Sequence, residues 1–265
     1  MADGIWTMGP LGPYAISHQP SAMSDDQTPP APFVARVVAL FEVLLCSGFP
    51  TQLAIGGTFA ALGHGAFTDA GGLSLRYVVG LSLIDSVVVI ALIVSFLLVH
   101  GERPRDVVVG QRRVAAEAAA GVPMIFVALA IAMTVVLVAR FAAPWLRTVP
   151  ENPLQGLLKS PHDAALFALV VIVAGGIREE LQRAFALHRF EVWLGGGTTG
   201  VVVTSIAFGA GHLLQGADAA VATGLLGAFW GVVYLSRRSA VAPMVSHAGF
   251  DLLQIAAFVA ASSRS

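Results

Sequence analysis

Residues 75–99 read LRYVVGLSLIDSVVVIALIVSFLLV, with Arg76 at the start and Asp85 as the single acid. The stretch is apolar on every side of a helix rather than along one stripe, which marks a helix buried all round or lying in lipid. It also exceeds the roughly 20 apolar residues that cross a hydrocarbon core. Similar runs recur on both sides. Val114 to about Arg140 is one, with Pro123 near its start, and Ala219–Leu235 and Ala240–Ala260 follow later. Phe33 to about Leu62 is apolar but holds Pro50 and the Gly56-Gly57 pair, so it reads as one kinked helix or two short ones. Thr198–Leu214 is a further span, and a helix starting at His162 or Asp163 runs to Leu194, where Gly195-Gly196-Gly197 stops it. The expectation is an all-α, polytopic transmembrane helix bundle of about seven spans, eight if Phe33–Leu62 crosses twice.

Composition agrees. Of 265 residues, 56% are hydrophobic and 12% charged, and the mean hydropathy is +0.79; soluble domains carry about 25% charged residues. A net charge of −1, from 15 Lys and Arg against 16 Asp and Glu, offers no basic face for nucleic acid. The lone Cys46 excludes an intramolecular disulfide and a cysteine-built zinc site. Residues 1–32 are rich in Pro, Gly, Ser and Asp and are expected to be a disordered tail before a membrane-embedded domain at 33–262. Met23 is a second candidate start beside Met1. Cations cluster in alternate loops: Arg103, Arg105, Arg112 and Arg113, then Arg189, then Arg237 and Arg238. These loops are assigned to the cytoplasm, although Arg76, Arg147 and Lys159 lie on the other side. The expected location is a bacterial cell membrane.

Charged side chains in hydrocarbon cost about 2.5–3.5 kcal/mol each on insertion scales and usually face the bundle interior. The candidates are Glu42, Asp85, Glu117, Glu179, Glu180, Arg183, His212, His247 and Asp251. Glu42 and Glu117 sit near span ends, where snorkelling is cheap, and Asp85 reads as a helix–helix hydrogen bond. Trp193 and Trp230 read as interfacial or packing aromatics. The last six charged or imidazole groups form a set. Arg183 is four residues from Glu179 and three from Glu180, so either carboxylate can share its helix face. Phe208 and His212 are spaced i,i+4, as are His247 and Asp251. Glu179 precedes Gly196 by 17 residues and His212 follows it by 16, so both lie roughly 25 Å along their helices from the turn. Asp251 lies about 20 Å past Arg238 and His247 about 14 Å by the same rise, a difference that helix tilt can absorb, so three helices can deliver acids and imidazoles to one pocket. A buried glutamate can take a proton from water, and histidines can hold that water or donate to an oxyanion. The zinc-protease HExxH and the GxSxG elbow are both missing from the sequence.

EELQR at Glu179–Arg183, FGAGH at Phe208–His212 and HAGFD at His247–Asp251 resemble the three motifs of the CPBP family. This family, also called Abi, includes type II CAAX prenyl endopeptidases and bacteriocin-immunity proteins. The resemblance covers about Asp163 to Ile255. It implies an intramembrane endopeptidase that cleaves a peptide bond near the membrane interface. In that reading Glu179 is the general base, His212 orients the water, His247 and Asp251 form the oxyanion side, and Glu180 and Arg183 are a supporting pair. The arginine comes one residue early, EExxR against EExxxR, which rotates it by about 100° and leaves its partner open. The metal question is also open: Glu179, His212 and His247 are candidate ligands for a divalent ion such as zinc. Expected partners are a peptide or protein substrate, lipidated or not, and the bilayer. The competing readings are a proton-coupled transporter, against which the lack of an internal repeat counts, and a non-catalytic membrane scaffold.

Overall fold

A computed structural model describes residues 32–150 and 152–262, and these form one helical unit. The tail expected at residues 1–32 therefore lies, Pro32 apart, outside the described residues. The chain runs α1 (Phe33–Leu45), α2 (Phe49–Ala61), α3 (Leu75–Val99), α4 (Pro104–Val108) and α5 (Val114–Phe141). After two short 3₁₀ turns come α6 (Pro161–Val170), a π-helical segment (Val171–Glu179) and α7 (Glu180–Trp193), which follow without a break. Then α8 (Gly197–Ala210), α9 (Ala217–Arg237) and α10 (Val241–Ser262) complete the bundle.

The long spans begin and end where their residues dictate. Ser74 caps α3 by accepting from the Tyr77 amide, as a serine at this position does. Ser160 caps α6 in the same way, with Pro161 in the first turn where no amide is needed. By length and composition α3, α5, α9 and α10 can each cross a membrane, and α1 with α2, bent by 43°, makes a fifth candidate. The seven or eight spans expected from sequence are not all of full length. Helix α8 has 14 residues, about 21 Å against a core of about 30 Å. The run from α6 to α7 carries Arg178, Glu179, Glu180, Arg183 and Arg189, too many charges to count as an apolar span.

The break between α1 and α2 falls at Cys46–Gly48 rather than at Pro50. Gly48 takes φ +83°, a conformation that glycine adopts without strain, and Pro50 sits in the first turn of α2. Helix α10 packs along α5 and the π segment, and α8 packs along α9. The centre is filled by Leu226, Trp230, Phe250 and Ala128. Outward faces carry exposed apolar side chains such as Phe41, Val87, Phe126 and Ile206, as a lipid-facing surface requires.

Buried charges are paired across helices. Arg189, read from sequence as a cytoplasmic loop cation, is fully buried within α7. Its guanidinium binds Glu42 and Glu102, each at 2.6 Å, and His100 and His188 hold the other oxygens of these acids at 2.7 and 2.8 Å. Glu117 is likewise buried and receives Arg237 through two hydrogen bonds of 2.7 and 2.9 Å. Neither Glu42 nor Glu117 snorkels, because each meets an arginine from another helix inside the bundle.

Removing one member of a buried pair leaves the other charge uncompensated, so Arg189→Leu is expected to destabilise the protein by about 3–5 kcal/mol. Thermal unfolding in detergent measures this. Burial pushes the Glu102 carboxyl up, but its hydrogen bonds to His188 and Arg189 outweigh this and hold it below the usual carboxylate range. The resulting stabilisation is fully present above that range and is lost as pH falls through the lowered value. Glu102→Gln should flatten this acid limb of the melting curve.

Candidate active site

The π segment places two adjacent carboxylates at the start of α7 and points them at α10. Wider turns of this kind occur mostly as single-turn bulges, frequently at functional sites; here the wide winding extends over nine residues. Within it Gly175 and Gly176 let α10 approach. A Cβ on Gly176 would stand 2.6 Å from that of Ala248, and one on Gly175 would stand 2.9 Å from Asp251 Oδ2. Side chains at these two positions would hold His247 and Asp251 away from the acids.

Glu180 is the sequestered member of the pair. Its side chain is 1% exposed and its Oε1 binds both Arg183 and, at 2.8 Å, His247 Nδ1. Arg183 thus selects Glu180, three residues away, and not Glu179. The guanidinium also lies over the Phe208 ring at 4.8 Å and near Trp230 at 5.6 Å. Trp230 stacks on the His247 imidazole with centroids 3.9 Å apart, and its indole N–H donates to Ser246 at 3.1 Å. The sequence reading of Trp230 as a packing aromatic holds, and the residue it packs against is the site histidine.

Glu179 is placed differently. Its side chain is 22% exposed, Oε1 accepts from Arg178 at 3.1 Å, and Oε2 lies 3.9 Å from His247 Nε2. Asp251 Oδ2 is 3.7 Å from the same nitrogen. These two separations exceed hydrogen-bond length, so Nε2 and two carboxylate oxygens converge on one point without binding one another. Polar groups at this spacing suit an intervening water.

His212 departs from expectation. Helix α8 ends at Ala210, and His212 sits in the turn that follows. Its Nδ1 is tied to the Phe208 carbonyl at 2.8 Å, and its ring meets the Phe208 ring edge-on at 4.8 Å. The Phe208 ring in turn lies 6.1 Å from His247. Among the described residues, no hydrogen bond or ion pair joins His212 to Glu179, Glu180, His247 or Asp251. The expected ligands Glu179, His212 and His247 are not grouped together in this arrangement. Among the described residues no three His, Cys, Asp or Glu side chains group to hold an ion.

One charged neighbour was absent from the sequence candidates. Arg178, immediately before the acid pair, bridges Glu179 to Asp85 of α3, which it meets at 2.5 Å. Its charge next to two acids in an apolar run was the available signal, whereas the partner 93 residues away was not legible.

The fold and site define a helical membrane protein with an interior acid–imidazole cluster. Residues 161–253 match the family model described as Type II CAAX prenyl endopeptidase Rce1-like. This part of the chain is similar to the Rce1-like domain, consistent with the CPBP family that the three motifs resemble, and the similarity supports a membrane protease of the CAAX type in general. No curated protein and no solved structure matches the chain.

Gly176→Ala presses a methyl group against Ala248 and the α10 backbone, and is expected to cost about 1–3 kcal/mol. Gly175→Ala presses on the movable end of Asp251 and reaches His247 Nε2 only at an ordinary 3.9 Å, so it should cost less. Paired thermal melts of the two variants check the order.

Proposed function

We propose that the chain is an intramembrane endopeptidase in which Glu179 activates water for attack on a peptide bond near the membrane interface. The observation that carries this reading is the division between the two acids. Glu180 is committed to Arg183 and His247, while Glu179 keeps one oxygen unbound, beside His247 Nε2 and Asp251. In this mechanism Glu179 Oε2 takes a proton from water, and the hydroxide adds to the substrate carbonyl carbon. The charge that forms on the carbonyl oxygen is met by an N–H at His247 Nε2, with Asp251 beside it. The C–N bond then breaks, and the proton held by Glu179 passes to the leaving amine. His212, whose Nδ1 is engaged, keeps Nε2 for the water or the substrate.

The substrate class is a peptide or protein tail that enters from the membrane interface, with prenylated CAAX sequences the first to test. The run from Pro161 to Trp193 and the short α8, set beside the longer helices, make up a seven-span arrangement. Since the candidate ligands are not grouped, no step is routed through a metal. A proton-coupled carrier is less favoured, because the motif set lies in the part of the chain similar to the Rce1-like domain. The scaffold reading loses its main support, since the early arginine finds a partner in Glu180.

Glu179→Gln is expected to lower the turnover of a farnesylated CAAX peptide by about 10²–10⁴-fold, with the melting temperature unchanged. Glu180→Gln should lower both, because it strands Arg183. Turnover within twofold of wild type in the presence of a chelator is expected for a carboxylate-activated water. Undiminished turnover by Glu179→Gln would overturn the assignment of the base.

A further inference from the structure

Arg178 has a buried guanidinium whose three nitrogens are all engaged. Nε donates to the Ala174 carbonyl at 3.4 Å, NH1 to Asp85 Oδ2 at 2.5 Å and NH2 to Glu179 Oε1 at 3.1 Å. Asp85 is 0% exposed and is held by two further groups from α2, the Thr51 hydroxyl and Gln52 Nε2, the latter at 3.2 Å. An aspartate tying two helices together would need only one of these partners. The set runs in one direction, from α2 through α3 to the carboxylate beside His247.

The break between α1 and α2 is docked on the same place. Gln182, inside the EELQR motif, donates to the Cys46 carbonyl at 2.6 Å. Gly48, in its left-handed conformation, brings the backbone so close that a Cβ there would lie 3.1 Å from Arg178 NH1 and 3.2 Å from Gln182 Nε2. Thr51, Gln52 and Asp85 all lie outside the matched residues 161–253.

We infer that Arg178, anchored by Asp85 and through it by Thr51 and Gln52, is a positioning residue that fixes the Glu179 carboxylate by holding Oε1, so that Oε2 faces His247 and Asp251. This rests on Glu179 as the base. The planar guanidinium can hold two carboxylates at once in fixed directions, which an ammonium cannot. A glutamate without that hold has several rotamers, and a displacement of about 1 Å from the reacting geometry can cost about 10²-fold in rate. The first three helices thereby complete a site whose motifs all lie in later helices.

The test uses full-length protein purified in detergent, with a farnesylated CAAX peptide as substrate and dicyclohexylcarbodiimide as a carboxyl probe read by mass spectrometry. Arg178→Gln and Asp85→Asn are each expected to lower kcat by about 10–100-fold with KM within about twofold. The double variant should be no slower than Arg178→Gln alone, because both changes break one chain. Arg178→Lys should recover only part of the rate, and Thr51→Val, a milder change, should cost a few-fold. Labelling of Glu179 should rise several-fold in Arg178→Gln, a readout that does not depend on turnover and that a merely structural arginine would not move. Wild-type kcat in Arg178→Gln and Asp85→Asn, with Glu179→Gln inactive, would overturn the positioning role and leave the base intact. Activity in Glu179→Gln would instead overturn the base, and unchanged Glu179 labelling in Arg178→Gln would then overturn the contact itself.

Discussion

Glu180, shared between Arg183 and His247 in the interior, is the contact on which the remaining geometry rests. A lone carboxylate at that depth would be costly, and a guanidinium cannot shed its proton to relieve the cost. Pairing the two removes both liabilities and fixes the imidazole by its Nδ1. Trp230 completes the clamp by stacking on the face of the ring. Once His247 is held in this way, its second nitrogen can face only the space between Glu179 and Asp251. The two neighbouring glutamates thus acquire different tasks through their surroundings, although the sequence presents them as equals.

The same rule organises the rest of the bundle. Arg178 pairs with Asp85, Arg189 with Glu42, and Arg237 with Glu117. Each pair joins elements far apart in the chain: the π segment to α3, α7 to α1, and α9 to α5. Lipid gives apolar helices little reason to prefer one another, so close packing and interior polar contacts decide which faces meet. Glycines act alongside the charges. The approach of α10 to the π segment at Gly175 and Gly176 brings the imidazole within reach of the acids.

Much of this was legible from residue pattern. The limits read for the span at residues 75–99 coincide with α3, and those of the later spans fall close to the observed helix ends. Composition and hydropathy suffice there because a lipid-crossing helix is defined by its own residues. The convergence of Glu179, Glu180, His247 and Asp251 followed from spacing and depth. What failed was whatever depends on distant partners or unusual winding. The π segment has no period that distinguishes it from an α-helix. Thr198–Leu214 reads as one apolar run, yet the helix stops at Ala210 and leaves His212 in a turn. Arg189 counted as a loop cation because its acids lie 147 and 87 residues away. The partner of Arg183 was undecided between spacings of three and four residues, and only packing against α10 distinguishes them.

The central claim is that Arg183 belongs to Glu180 and leaves Glu179 free, and a double-mutant cycle on thermal unfolding measures this most directly. Glu180→Gln and Arg183→Gln, alone and together, should show a coupling of about 1–3 kcal/mol, whereas Glu179→Gln and Arg183→Gln should be additive. Strong coupling of Arg183 to Glu179 and none to Glu180 would contradict the account.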